Sequence, residues 1–364
     1  MKCCAMNKKV AFITCVNNEE EYAESLYYIN RLYVPEGYEI DAIAVREASS
    51  MAAGYQAAME STDAKYKVYL HQDTFVICRD FISRMLDVFL NNARIGMIGC
   101  VGCDELPLSA QAVSAWNVGL VYHNCVPGRM ERRQNADRSP VRVEAVDGLL
   151  MATQYDVRWR EDLFCGWDFY DVSQCLEMQR AGYEIAVPYQ KEPWCYHDNS
   201  YSKMTEYYHY CDKAVKEYQD IKPFVASEHS ERRREYDLLR EASRRELKDL
   251  VERGEREELI GLFADENNRG YLHLREFEVL ANIAYMEERA GENRFWNEGD
   301  SYESLMDKIA RLKYALKRIE YQADETKEAS AFIDANYSEY AVMTVRRAYS
   351  TENTEIREEE GNTD

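Results

Sequence analysis

The chain has 364 residues, a formal net charge of −21, and an aromatic content of 12% that includes 28 tyrosines. That length suggests two domains, and the aromatic content excludes a globally disordered chain. So acidic a field excludes nucleic acid and anionic membrane surfaces as partners, because both require basic patches.

The eleven cysteines stand singly apart from Cys3-Cys4 and the Cys100/Cys103 pair. Neither a zinc-ribbon spacing nor a disulfide framework is visible. Buried, reduced thiols are expected, and with them a cytoplasmic location. The first thirty residues do not resemble a signal peptide. No apolar run approaches the ~20 residues of a membrane-spanning helix, so no transmembrane segment is expected.

In chain order, residues 10–16 read as a buried strand. Residues 20–32 read as a helix capped by Asn17 or Asn18, with acids in its first turn. A strand over 38–45, a short helix over 50–59 and a strand over 66–70 follow. The last of these runs into His71-Gln72-Asp73. Ligands of open α/β sheets bind beyond the carboxyl ends of the strands. A carboxylate there is well placed to hold Mg²⁺ or Mn²⁺, hard ions that take oxygen ligands. The plainer alternative is that Asp73 caps a helix starting near Arg79 or Phe81. A helix over 80–91 and a strand over 95–100 complete an alternation that predicts βαβ units in a mostly parallel sheet. Right-handed crossovers then line the loops after the first three strands along one edge.

Arg129, Arg132, Arg133, Arg138 and Arg142 form a basic loop. It is either a lid that clamps a diphosphate or a solvated segment paired with acids elsewhere. Asp147-Gly148 opens an apolar strand, although such a pair is usually a plain turn. Asp168 and Asp171 lie within one turn of each other beside Gly166 and two aromatics. Acids at a helix start are favoured by only ~0.3–1 kcal/mol, and this cluster exceeds what a cap needs.

From residue 201 the texture turns helical, with amphipathic patterns over 228–253, 255–263, 274–288 and 302–321. Residues 265–276 resemble an EF-hand loop, but Arg269 occupies a position that needs an oxygen. The other reading is a helix-turn-helix connection around Gly270. Tyr201, Tyr207, Tyr208, Tyr210 and Tyr218 form either a sugar-stacking face or interdomain packing. The expected division is a catalytic domain over 1–215, a helical domain over 216–350 and an acidic tail over 351–364.

Four stretches together carry a family resemblance: residues 10–19, 50–59, 69–73, and 167–173 with Arg180-Ala181-Gly182-Tyr183. They resemble a glycosyltransferase of the GT-A fold, in the bacterial branch related to family 2. The resemblance covers a little over half the chain and implies an α/β, Rossmann-like nucleotide-sugar-binding domain followed by an all-helical one. It implies a metal-dependent, inverting transfer from a nucleotide-diphosphate sugar, a UDP-sugar, to a glycan or other hydroxyl acceptor. Asp73 and His197 are implied as ligands of Mn²⁺ or Mg²⁺, and Asp171, with Asp168 as alternate, as the catalytic base. Cys15, Asn17, Glu47, Met51, His71, Gln72 and Asp147 are implied as donor-binding. His71 stands where the family carries the first acid of its metal motif; imidazole can still ligate Mn²⁺ or donate to a ribose hydroxyl. That departure keeps a second reading open, a non-catalytic scaffold on a degenerate transferase fold. A nucleotidyltransferase would need a basic, glycine-rich loop after the first strand, and residues 16–21 are the opposite.

Overall fold

The computed structural model describes residues 7–123, 128–131, 133–198, 206–226, 230–264, 275–321 and 326–349. Among these, one compact unit takes the residues up to 123, those of 129–198 and those from 206 to 230. A second takes the described residues from 231 onward. The EF-hand-like stretch from 265 to 274, Tyr201 and the acidic tail lie outside the described residues.

The first unit begins with β1 (Lys9–Val16), α1 (Glu19–Ile29), β2 (Glu39–Arg46), α2 (Met51–Ser61), β3 (Tyr66–Leu70), β4 (Thr74–Val76), α3 (Phe81–Asn91) and β5 (Ile95–Gly99). It continues with β6 (Val101–Cys103), β7 (Val118–His123), β8 (Gly128–Glu131), β9 (Val141–Val143), β10 (Ala145–Val146) and β11 (Leu150–Thr153). It ends with α4 (Tyr170–Arg180), β12 (Glu184–Val187), β13 (Cys195–His197) and α5 (Tyr207–Glu217).

Side-chain alternation along β1 explains the layering. Val10 and Phe12 enter a core with Val68, Leu70 and Ile98, covered by Ile29 of α1 and by Phe81, Met85 and Phe89 of α3. Ala11, Ile13 and Cys15 enter the opposite core with Tyr55 of α2, Leu176 of α4 and Cys211 of α5. Both faces of the sheet are buried, which is why its strands read as nearly continuous apolar runs.

The main sheet has the order β2-β1-β3-β11-β5-β12-β9. The pairs β1–β2, β1–β3 and β5–β12 are parallel, as the βαβ alternation predicts. β11 runs antiparallel between β3 and β5, and β9 is antiparallel to β12. The sheet is therefore mixed: β11 returns to it from an excursion over residues 101–149 that supplies β6, β7 and β10 to a second sheet, β10-β6-β7-β13-β4. Strands of two to six residues carry too little periodicity to be seen in sequence.

Tyr207, Tyr208, Tyr210 and Tyr218 are buried in the core of the first unit itself. Buried there, they do not form a solvent-facing sugar-stacking surface. Arg133 pairs with Asp104 at 2.8 Å and Arg142 with Glu184 at 2.5 Å, while Arg138 lies over the Tyr189 ring. Among the described side chains of the basic loop, pairing with local acids and rings is thus the outcome. The eight described cysteines are free, and Cys100 and Cys103 are buried.

The second unit comprises α6 (Ser230–Arg253), α7 (Arg256–Ala264), α8 (Arg275–Ala290), α9 (Tyr302–Tyr321), α10 (Thr326–Asn336) and α11 (Glu339–Tyr349). Its core joins Leu247, Leu259, Ile283, Leu312 and Val345. No helix among the described residues is long and apolar enough to cross a membrane. Glu287, fully buried on α8, accepts from the Phe295 N–H at 2.9 Å, the Trp296 N–H at 3.4 Å and the Ser338 hydroxyl at 2.9 Å. Glu287→Ala leaves those donors without an acceptor and should cost about 3 kcal/mol. Urea unfolding followed by helical circular dichroism measures it; a loss under about 0.5 kcal/mol would contradict this account.

Candidate active site and metal centre

β3 ends at Leu70, and the three residues after it turn directly into β4. The helix that follows starts only at Phe81 with Asp80 at its N-cap, so Asp73 is no helix cap. β4 pairs antiparallel with β13, which sets His197 opposite Thr74. The Asp198 N–H donates to the Asp73 carbonyl at 2.8 Å and extends that ladder. By this pairing a histidine 126 residues away in the chain meets the end of β3. Nε2 of His197 lies 3.3 Å from Nδ1 of His71 and 3.5 Å from Oδ1 of Asp73. Nδ1 of His71 lies 3.7 Å from the same carboxylate oxygen.

These atoms form the one group of metal-ligating side chains of this kind among the described residues. Their spacing leaves a point about 2.0 Å from all three, the usual metal–imidazole distance. Oδ1 of Asp73 is buried, and the two imidazoles are its polar neighbours. Two imidazole nitrogens and a carboxylate oxygen are a donor set that divalent first-row ions accept. The residues present therefore fit a divalent cation.

The charges agree with this geometry. Burial works against ionising Asp73, yet the His197 and His71 imidazoles outweigh it and hold the carboxyl far below its usual range. Burial also opposes a charge on His197, but Asp73 beside it raises the pKa overall. At His71 burial prevails, and its pKa falls.

The other nitrogen of His71 is engaged from α4: its Nε2 meets the Tyr170 hydroxyl. Gly148 makes room for that hydroxyl, since a Cβ at position 148 would stand 2.2 Å from it. The Gly148 N–H donates to Oδ2 of Asp171 at 3.0 Å, and the Val172 N–H donates to Oδ1 at 2.8 Å. Burial, and then the nearby Asp147 charge, push the Asp171 pKa up to about 7 against these backbone donors. Asp73, His71, Tyr170 and Asp171 thus form one continuous run of neighbours.

The remaining predicted residues take varied places. Asp147 closes its own turn by accepting from the Leu149 N–H at 2.9 Å, and its charge reaches Asp171, His71 and His197. Gln72 accepts from the Asn17 and Asn18 N–H groups at 2.9 and 3.0 Å, which ties the loop after β1 to the turn after β3. Val16 pairs with Arg46, so Asn17 and Glu47 open adjacent loops at the carboxyl edge. Glu47 is exposed there with φ of 55°. Cys15 is packed instead beneath α2, where a Cβ at Gly54 would stand 2.5 Å from its sulfur, and burial takes its pKa up to about 12. Met51 donates its N–H to the Gly166 carbonyl at 3.0 Å and anchors the loop that carries Trp167. Asp168 precedes the left-handed Phe169 (φ 65°), which caps α4; it is therefore off the helix and shares no helical face with Asp171.

Two residues of the site were not singled out by sequence. Tyr170 reads there as one aromatic inside a helix start. Tyr55 donates its hydroxyl to the Leu70 carbonyl at 3.2 Å and lies edge-on to Tyr170 at 5.8 Å. Their only signal was aromatic residues beside motif glycines and acids.

Among curated proteins no sequence match reaches significance. Among solved structures, Staphylococcus aureus TarS 1–349 is similar at a TM-score of 0.37 with 10% identity, over 96% of this chain and 92% of that one. The same protein in complex with UDP-GlcNAc gives 0.40 and 9%, over 80% and 95%. The mannosyltransferase PcManGT from Pyrobaculum calidifontis, in complex with GDP-Man and Mn²⁺, gives 0.37 and 12%, over 94% and 86%. A family model described as a glycosyltransferase-like family matches residues 11–218. That span holds the α/β sheet and every side chain that converges at the end of β3, and by it the chain belongs to this family 2-related glycosyltransferase family and is a glycosyltransferase.

Proposed function

We propose that this glycosyltransferase is metal-dependent and inverting, and transfers a sugar from a nucleotide-diphosphate donor, a UDP-sugar, to an acceptor hydroxyl. The observation that carries the proposal is the junction of two unlike carboxyl groups through His71 and Tyr170. Asp73 is held ionised beside two imidazoles, and Asp171 is held near neutrality. Carboxyl groups whose environments push their pKa values apart are the usual mark of divided roles in catalysis.

In this reading Asp73, His71 and His197 hold the cation. When bound, it supplies the Lewis acid that offsets charge growing on the departing diphosphate. Asp171 takes the proton from the acceptor hydroxyl. Each of its oxygens accepts one backbone N–H and retains a lone pair for that proton. The same two N–H groups fix its orientation, and a pKa near neutrality suits a base that must be both ionised and basic. Gln72 locks the loop after β1 in place at the donor side. Trp167, half exposed at 50%, stands four residues before Asp171 at the acceptor side.

Calorimetry with UDP and Mn²⁺ tests the donor side: the native chain should bind, and Asp73→Ala should weaken binding about tenfold or more. Binding of equal strength in both, or in neither, would count against the assignment. The acceptor side is read by pH. A base must be deprotonated to act, and burial has raised the pKa of Asp171, so kcat/KM should climb with pH and level off above about 7. Asp171→Asn should abolish that climb and lower kcat by about 10²–10⁴-fold. A rate profile unchanged in the variant would remove Asp171 from the role. Stability should move in the opposite sense: between the unfolded value of about 3.9 and the folded value of about 7 the native state holds the extra proton, so this group makes the fold less stable as pH rises.

A further inference from the structure

The first unit also carries a cavity of about 600 Å³, between the outer face of α3 and the segments that precede β9 and β13. Its volume falls in the range of small-molecule sites, ~300–1,000 Å³. We propose that it is a second saccharide site, which binds a neutral oligosaccharide apart from His71, Asp73 and His197. The inference goes beyond the proposed function and rests on no step of it.

The β4–β13 ladder separates the two places. Thr74 pairs with His197 at one end, and Val76 with Cys195 at the other. Trp194, which lines the cavity, immediately precedes β13 and so lies roughly 10 Å of strand from His197.

The lining suits a neutral molecule rich in hydroxyls. Asp80, Arg84, Asp87 and Asn91 recur at intervals of three and four residues and share one face of α3. Arg84 and Arg138 balance Asp80 and Asp87, so the lining carries no net charge. An anion would meet two carboxylates there, and a cation two guanidinium groups. A hydroxyl both donates and accepts, and can use both kinds of group. Their capacity is not spent within the protein. Nη2 of Arg84 stands 3.6 Å from Oδ2 of Asp80, too far for a hydrogen bond. Asn91 donates to Oδ1 of Asp87 at 3.0 Å, and the second oxygen has no partner among the described residues. Tyr189 adds an aromatic face, and the buried Val88 and Trp194 add apolar surface. The C–H face of a pyranose packs on such surfaces while its hydroxyls reach the polar groups around them.

The walls are fixed before any ligand arrives. Gln190 is fully buried, donates to the Cys100 carbonyl at 2.7 Å and accepts from the Trp194 N–H at 3.3 Å. Its own backbone is held by Gln134, which donates to the Gln190 carbonyl at 2.9 Å and accepts its N–H at 2.6 Å. The Tyr189 and Trp194 segment is thereby tied to the stretch that leads to Arg138. Arg138 takes a left-handed backbone, φ 62°, which is uncommon for a residue with a side chain. Its N–H donates to the Asn135 carbonyl at 3.0 Å, and the Asn135 amide donates to the Ser139 and Pro140 carbonyls at 3.2 and 3.3 Å. The turn so built sets the Arg138 guanidinium 5.6 Å from the centre of the Tyr189 ring. Fixed walls lower the ordering cost of binding.

The test uses the full chain without metal or nucleotide and reads saturable binding by ligand-observed NMR. The probes are neutral trisaccharides of glucose, mannose, galactose, xylose and N-acetylglucosamine. At least one should bind with a dissociation constant of about 1 mM or tighter. Tyr189→Ala removes the stacking ring and should weaken that binding about tenfold or more. Ser83→Trp fills the cavity from an exposed position on α3 and should abolish binding while the melting temperature stays within about 2 °C of the native value. Asp171→Asn should leave binding within about twofold. Failure of every probe to bind, as a merely solvated furrow predicts, would overturn the proposal. So would binding indifferent to Tyr189→Ala and Ser83→Trp. Binding lost in Asp171→Asn would put the saccharide at that carboxylate instead, and displacement by inorganic phosphate would make the cavity an anion site; either result also overturns it.

Discussion

The site depends on one antiparallel pairing, β4 with β13. Neither strand is longer than three residues, and their ladder of Cys195, Tyr196 and His197 against Val76, Phe75 and Thr74 brings the late histidine to the turn after β3. The Asp198 N–H to Asp73 carbonyl bond closes it one step further. A slip of one residue would turn the His197 side chain to the opposite face of the sheet. The flanking packing guards against that slip. Cys195 and Trp194 are buried in the same core as Val76 and Phe81, and the Trp194 carbonyl accepts from the Ile77 and Cys78 N–H groups.

A second constraint comes from the antiparallel entry of β11. Leu150 pairs with Leu70, and the His71 N–H donates to the Leu149 carbonyl at 3.2 Å. The Asp147-Gly148 turn is thereby laid beside His71 and beneath Tyr170. A side chain at 148 would collide with that tyrosine, so the turn glycine serves close approach rather than an unusual dihedral. The same turn N–H holds Asp171. One strand insertion thus positions Asp171 relative to His71, Asp73 and His197.

Burial acts on all the ionisable groups here, and their neighbours decide the outcome. Asp73 has two imidazoles beside it and stays ionised. Asp171 has another carboxylate nearby and only backbone donors, and it rises to about 7. Two acids of the same type thereby acquire different properties within one run of neighbouring side chains. The left-handed Phe169 makes the same division along the chain, since it starts the helix after Asp168 and excludes that acid from the face that carries Asp171.

The sequence by itself determined the layered α/β core, because alternation along residues 10–16 and 66–70 and helical spacing between them are local properties. It also located the acid at the end of the third strand, since an apolar run that stops at a carboxylate is visible in one dimension. The short strands of the second sheet, the antiparallel course of β11 and the burial of Tyr207 through Tyr218 in the first core were decided only by tertiary structure. So was the partnership of His71 with His197 and Tyr170, whose members lie 126 and 99 residues from it. Strands of three residues carry too little pattern to declare their partners. Long-range contacts of this kind are fixed by whichever register buries the most apolar surface and satisfies the most backbone groups at once, a comparison that only the folded chain makes.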